Sequence, residues 1–98
     1  ALTVDLAARV VEVNGAPIEL TKVEFDLLAV LVRRPGQAIS RRALVEKVLD
    51  PEKQGTERTL DVHVSRLRKK LGDEGARVAT VWGIGYRFEH RDAEEGDA

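Results

Sequence analysis

Thr56-Glu57-Arg58-Thr59-Leu60-Asp61-Val62-His63-Val64-Ser65-Arg66-Leu67-Arg68-Lys69-Lys70-Leu71-Gly72 is the stretch on which the fold turns. Leu60, Val64, Leu67 and Leu71 follow one another at spacings of four, three and four residues, a narrow apolar stripe with the period of an α-helix. Thr56 suits the N-cap, and Gly72 suits a left-handed cap at the other end. Because the stripe must face a core, the opposite face is fixed as well. Arg58, Val62, Ser65, Arg66 and Lys69 project outward, with His63 and Arg68 flanking the buried line. Arginine can read guanine bidentately in a major groove, valine can meet a thymine methyl, and lysine can neutralise a phosphate. A merely solvated basic helix has the same look, so this helix does not decide the function alone.

Downstream, Val78, Thr80 and Trp82 alternate up to Gly83-Ile84-Gly85, and Tyr86 and Phe88 continue the alternation, which predicts a closing β-hairpin. Strict alternation places Trp82 and Tyr86 on one face. A tip flanked by Gly83 and Gly85 can approach a phosphodiester backbone closely, and an amphipathic aromatic can touch sugar and phosphate together, or else Trp82, Tyr86 or both simply pack on the helices. The Gly-Ile-Gly triplet is not a dinucleotide fingerprint, since strand rather than helix follows it.

Upstream, Leu2, Val4 and Leu6, then Val11 and Val13, then Ile18 and Leu20 alternate around Asn14-Gly15, the signature of an antiparallel hairpin with a primed turn. Thr21-Lys22-Val23-Glu24 is a capping box, with Leu20 and Phe25 placed for a hydrophobic staple. The helix it opens should bury Leu28, Leu31 and Val32 and end before Pro35-Gly36. Ile39-Ser40 repeats the device for a short second helix that runs to about Leu49 before Asp50-Pro51. The order is a small sheet, three helices and a hairpin. This is an α+β domain spanning residues 1–89.

Composition bounds what such a domain can do. The 98 residues suffice for one core, no apolar run approaches a membrane span, and no signal-peptide pattern opens the chain. With no cysteine, neither a disulfide nor a thiolate metal site can form, in keeping with a cytoplasmic protein. No cofactor or metal site is expected. His63 and Asp61 diverge on their helix without a nucleophile beside either, which argues against an enzyme. The net charge of −1 hides a segregation: Thr56–Leu71 holds five bases against two acids, and Glu89–Ala98 holds five acids against one base. The acidic tail, residues 90–98, is expected to be disordered.

The long helical motif Arg58–Leu71, followed by Thr80-Val81-Trp82-Gly83-Ile84-Gly85-Tyr86-Arg87-Phe88, closely resembles the OmpR/PhoB family of response-regulator effector domains. Leu20-Thr21, Glu24-Phe25 and Leu27-Leu28 match that family's opening helix, so the likeness runs from Val4 to Phe88. The resemblance implies a winged helix, with its third helix in the major groove of double-stranded DNA and its hairpin wing reaching the minor groove. It gives DNA-facing roles to Arg58, Val62, His63, Ser65, Arg66, Arg68 and Lys69, and wing roles to Thr80, Trp82, Gly83 and Tyr86. It further implies a receiver domain N-terminal to this chain, a homodimer on tandem half-sites, and an RNA polymerase contact through the loop at 50–55. Several relatives carry arginine where this chain has Trp82, and many have an aromatic and a glycine where it has Leu49-Asp50-Pro51. The alternative is a winged helix that docks an acidic protein and binds no specific DNA.

Overall fold

In a computed structural model, which describes residues 1–50, 52 and 55–89, the chain opens with three antiparallel strands, β1 (Leu2–Asp5), β2 (Val10–Val13) and β3 (Ala16–Ile18), in that spatial order. The β2–β3 turn is made by Asn14 and Gly15 at φ 53° and 83°, the positive values that a primed turn demands. The register pairs Val4 with Val11 and Val11 with Ile18, so one face of the sheet is apolar and lies on the helices.

Helix α1 (Lys22–Val32) starts with the reciprocal capping box: Thr21 Oγ1 accepts from the Glu24 N–H at 3.2 Å, and Glu24 Oε1 accepts from the Thr21 N–H at 2.9 Å. Leu27, Leu28 and Leu31 are fully buried, whereas Val32 is only half-buried. Helix α2 (Arg41–Val48) is capped by Ser40 and ends one residue before Leu49. Helix α3 (Glu57–Leu71) is capped by Thr56, and its stripe of Leu60, Val64, Leu67 and Leu71 is wholly removed from solvent. The three helices meet pairwise around a single core that Phe25, Leu44, Val45, Val78 and Phe88 complete.

Two elements escape the sequence patterns. A 3-10 helix, Gly72–Arg77, carries the chain from α3 into the wing. Strand β4 (Ile39–Ser40) adds an edge to the hairpin of β5 (Val78–Val81) and β6 (Gly85–Phe88), giving the order β4-β6-β5. Ile39 pairs with Tyr86 and Ser40 with Gly85. That pairing corrects the role expected of Gly85: it is buried, and a Cβ there would stand 2.0 Å from the Ile39 carbonyl oxygen. Its bareness serves strand packing inside the protein, not approach to a ligand.

Candidate nucleic-acid interface

The buried stripe of α3 turns its other face to solvent as expected. Arg58, Ser65, Arg66 and Lys69 are exposed, and Val62 keeps 43% of its surface in water. Arg58, Arg66 and Lys69 have no ion-pair partner among the described residues. Three cations without carboxylates and one exposed valine therefore share a helix face, a row of free donors that an anionic ligand can use.

The other two bases of the helix are engaged within the fold. Lys70 Nζ donates to Glu24 Oε1 at 2.8 Å, and that carboxylate is almost completely buried. Burial alone would raise the Glu24 carboxyl, but hydrogen bonds from Lys70 and the Thr21 backbone outweigh it and hold the group below the usual carboxylate range. Arg68 corrects an expectation: it reaches across to the wing, donating from Nε to the Val78 carbonyl at 2.7 Å and from Nη2 to Thr80 Oγ1 at 2.8 Å. Its guanidinium also lies 5.4 Å from the centre of the Tyr86 ring. Arg68 and Thr80 thus join the helix to the wing, with Nε and Nη2 of the guanidinium committed inside the fold.

Tyr86 is the second correction. Only 7% of it is exposed, against 89% of Trp82, so one aromatic is packed into the fold while the other stands in solvent. Thr80 and Tyr86 are cross-strand partners and lie on one face of the hairpin, but Trp82 falls in the turn, where the alternation of a pleated strand no longer sets direction. The Tyr86 hydroxyl donates to Asp61 Oδ1 at 2.7 Å. Burial and that carboxylate push the phenol up to about 12.

Asp61 gathers more than Tyr86. Arg41, at the start of α2, donates from Nε to Asp61 Oδ1 at 3.1 Å and makes a close contact with Oδ2, while its Nη1 stands 3.1 Å from Glu57 Oε1. Burial would raise Asp61, but the hydrogen bonds from Arg41 and Tyr86 prevail and lower it. Asp61 and Arg68 lie seven residues apart, two turns of α3, so both sit beside the buried stripe and face the same neighbours. Helix, wing and the head of α2 are held in one arrangement by this pair. Sequence reasoning weighed Asp61 only as a catalytic candidate and passed over Arg41; for Asp61 the available signal was its seven-residue spacing from the opposite charge of Arg68 along the stripe.

His63 is half-buried, and its Nδ1 is enclosed without a hydrogen-bond partner among the described residues, so a polar contact with a ligand can come only through Nε2. Gly83, at φ 81°, lets the wing reverse between Trp82 and Ile84. Between the wing, the head of α2 and α3 lies a cleft of about 510 Å³, lined among others by Arg41, Arg42, Asp61, Thr80 and Trp82. The acidic stretch from His90 onward, like Pro51, Lys53 and Gln54 of the connecting loop, lies outside the described residues. Among the described residues, no three His, Cys, Asp or Glu side chains are grouped to hold a metal ion, and no helix is long and apolar enough to cross a membrane.

Comparison with known proteins adds to this geometry. Residues 15–88 match the family model described as "Transcriptional regulatory protein, C terminal". The uncharacterised transcriptional regulatory protein YclJ of Bacillus subtilis is 49% identical over 89 residues, which are 89% of this chain and 39% of that protein. The chain therefore spans well under half the length of that relative. Among solved structures, the DNA-binding domain of response regulator AdeR in complex with an intercistronic region superposes with a TM-score of 0.78 at 28% identity, covering 91% of this chain and 93% of that one. The Klebsiella pneumoniae RstA DNA-binding domain in complex with the RstA box does so with a TM-score of 0.73 at 37% identity, covering 90% of each chain.

Proposed function

The chain belongs to the OmpR/PhoB-type family of C-terminal domains of transcriptional regulatory proteins, and from that premise we propose that it binds double-stranded DNA sequence-specifically as the output domain of a two-component response regulator. The observation that carries the reading is the α3 face, where Arg58, Arg66 and Lys69 have no carboxylate partner among the described residues and lie on either side of an exposed Val62. Such a face matches the donor and acceptor pattern of a major groove, and cations without internal partners are the electrostatic footprint of a phosphate ligand. Two solved neighbours whose DNA-bound domains superpose over nine-tenths of the chain support it. The family is one of DNA-binding regulators, and catalysis has no part in the reading.

Residues do different work here. Arg66 and Val62 read base edges, while Arg58 and Lys69 hold phosphates. Ser65 and His63 add polar contacts at the rim, and the wing at Trp82 and Gly83 meets the duplex beyond the helix. Arg68, Thr80 and Tyr86 set the wing's position from within. The effector unit comprises residues 1–89, with 90–98 an acidic appendage to it. In the whole protein a receiver precedes this domain, phosphorylation pairs two copies on tandem half-sites, the loop at 50–55 meets RNA polymerase, and the setting is the cytoplasm.

Selection of the domain's preferred sites from a pool of random duplex DNA, followed by sequencing of the bound fraction, tests the core of this. A recurrent site is the expected result. A pool that stays random while binding falls steeply with salt would leave a nonspecific basic domain in place of a reader.

A further inference from the structure

The wing tip carries no charge. Val81-Trp82-Gly83-Ile84-Gly85 contains neither a base to neutralise a phosphate nor an acid to repel one, yet it presents Trp82 at 89% and Ile84 at 52% exposure. A free tryptophan on a soluble domain gives up a large apolar burial, and two such side chains flanking one glycine make a local apolar point at the end of the hairpin.

The point is rigidly mounted. The Ile84 N–H donates to the Val81 carbonyl at 3.0 Å, closing a turn whose third residue is Gly83 at φ 81°. The Ile84 carbonyl in turn accepts from the Arg41 N–H at 3.1 Å, and Gly85 is wedged against Ile39, so the tip is fixed to the head of α2. Arg68 and the Asp61–Tyr86 bond fix the strands behind it to the donor face of α3. Trp82 also lines the cleft beside Arg41 and Arg42, whose charges are paired with Asp61, Glu57 and Glu46, so the cationic surface is the outer face of α3 and the tip adds no charge to it. A duplex lying against α3 is held by its phosphates at that surface and meets the tip with something other than phosphate.

Resting on the reading of this domain as a DNA binder, we infer that Trp82, with Ile84 beside it, acts as an apolar wedge against the minor groove of the bound duplex, so that the domain selects a deformable base step where the wing lands. An uncharged ring cannot exploit the negative potential of a narrow groove as a guanidinium does. It can pack on sugar edges and partly unstack a base step, and the cost of unstacking is lowest at flexible pyrimidine–purine steps such as TA. The wing then contributes selectivity through deformability, while Arg66 and Val62 contribute it through base edges.

Trp82 is the only tryptophan in the chain, so its own emission reports the contact. The duplex recovered by selection, trimmed to a single half-site so that one copy binds, is titrated against the intact chain while tryptophan emission and the anisotropy of a labelled strand are followed together. The expected result is that emission is quenched in step with anisotropy, and that replacing a TA step under the wing by AA weakens binding about fivefold to tenfold. Trp82→Ala, which removes an exposed side chain and leaves the fold intact, should bind the TA duplex about tenfold more weakly and no longer distinguish TA from AA. Trp82→Phe should keep part of the distinction.

Arg66→Ala separates this inference from the reading beneath it, for it should lose preference for the selected site while tryptophan quenching persists on whatever duplex it binds. Anisotropy that rises without any change in emission, or a Trp82→Ala protein that still prefers TA, would overturn the wedge and leave DNA binding standing. Quenching that appears only on a tandem site, where two copies meet, would also overturn it, by placing Trp82 against protein. If no duplex raises the anisotropy, DNA binding itself is refuted and the wedge falls with it.

Discussion

Asp61 is an acid in the middle of a basic helix, and its partners explain why it stands there. It accepts hydrogen bonds from Tyr86 and Arg41, from two different elements, and both partners favour its ionised form. Its folded pKa is depressed, so its contribution to stability is present at neutral pH and is lost as pH falls through the carboxylate range. Tyr86 has the opposite sign. Its folded value is raised from 10.0 to about 12, so its contribution is complete below pH 10 and is lost as the pH climbs toward 12. Tyr86→Phe should cost about 1 kcal/mol at neutral pH, the scale of one hydrogen bond to a partly exposed carboxylate, and should flatten the loss of stability above pH 10. Urea denaturation of both proteins at neutral and alkaline pH checks this, and an unchanged midpoint would count against the bond. Free side chains on α3 call for a different measurement. Arg66→Ala should cost about 1–3 kcal/mol on the selected duplex and less on a scrambled one. Lys69→Ala should weaken both alike and lower the salt slope by about one, while Val62→Ala should relax discrimination at one thymine with the slope unchanged. Equal losses on both duplexes for Arg66 and Lys69 would reduce α3 to a nonspecific basic face. Arg58, Arg66 and Lys69 were legible in the sequence because their direction follows from a buried stripe on their own helix. The partners of Arg68 and Tyr86 were not, although packing of Tyr86 on the helices was one of two open readings, because the groups that claim them lie on other elements, and no periodicity within one element reveals a partner on another.

At the scale of elements, the stripe of α3 does two things at once, since the residues that build the core also aim the face that binds. Leu67 is fully buried between Leu60 and Leu71, and cutting it to alanine should cost about 2–5 kcal/mol, a large part of the stability of a small domain. Thermal unfolding followed by circular dichroism should show Leu67→Ala strongly destabilised or unfolded, and a melting curve like that of the parent would mean that the helix is rotated and its outer face misplaced. Elements such as α3 were readable from sequence because caps and period agree: Thr21, Ser40 and Thr56 each accept a backbone N–H three residues on, as their positions before apolar runs foretold. Strand β4 was not readable. Two residues cannot display a period, and Ile39-Ser40 becomes a strand only because β6 lies alongside with Gly85 bare enough to admit it. The wing tip failed in a related way, for alternation was carried through Trp82 into a turn where it does not hold.

For the whole molecule, a formal net charge of −1 is a poor guide to what the surface offers an anion. Carboxylates pair Lys70 and Arg41 within the fold, and Arg68 keeps its charge but is turned toward Val78 and Thr80, so the outer face of α3 relies on fewer cations than the sequence contains. Long-range repulsion from carboxylates elsewhere in the chain then matters in proportion. Deleting Asp92–Ala98 removes four acids and no base, taking the formal net charge from −1 to +3 without touching any residue of the core or of α3. Association with a polyanion should respond through the summed field and not through any single contact. The shortened protein is expected to bind scrambled duplex several-fold more tightly at low salt, with the same melting temperature and the same ratio of selected to scrambled affinity. Because the Debye length shrinks to about 10 Å at 0.1 M salt and about 3 Å at 1 M, the gain should fade as salt is added. Titrations of both lengths of chain across a salt series decide the matter: an affinity for scrambled DNA that does not rise at low salt would show that these carboxylates act too far from the duplex, or too well screened, to oppose it.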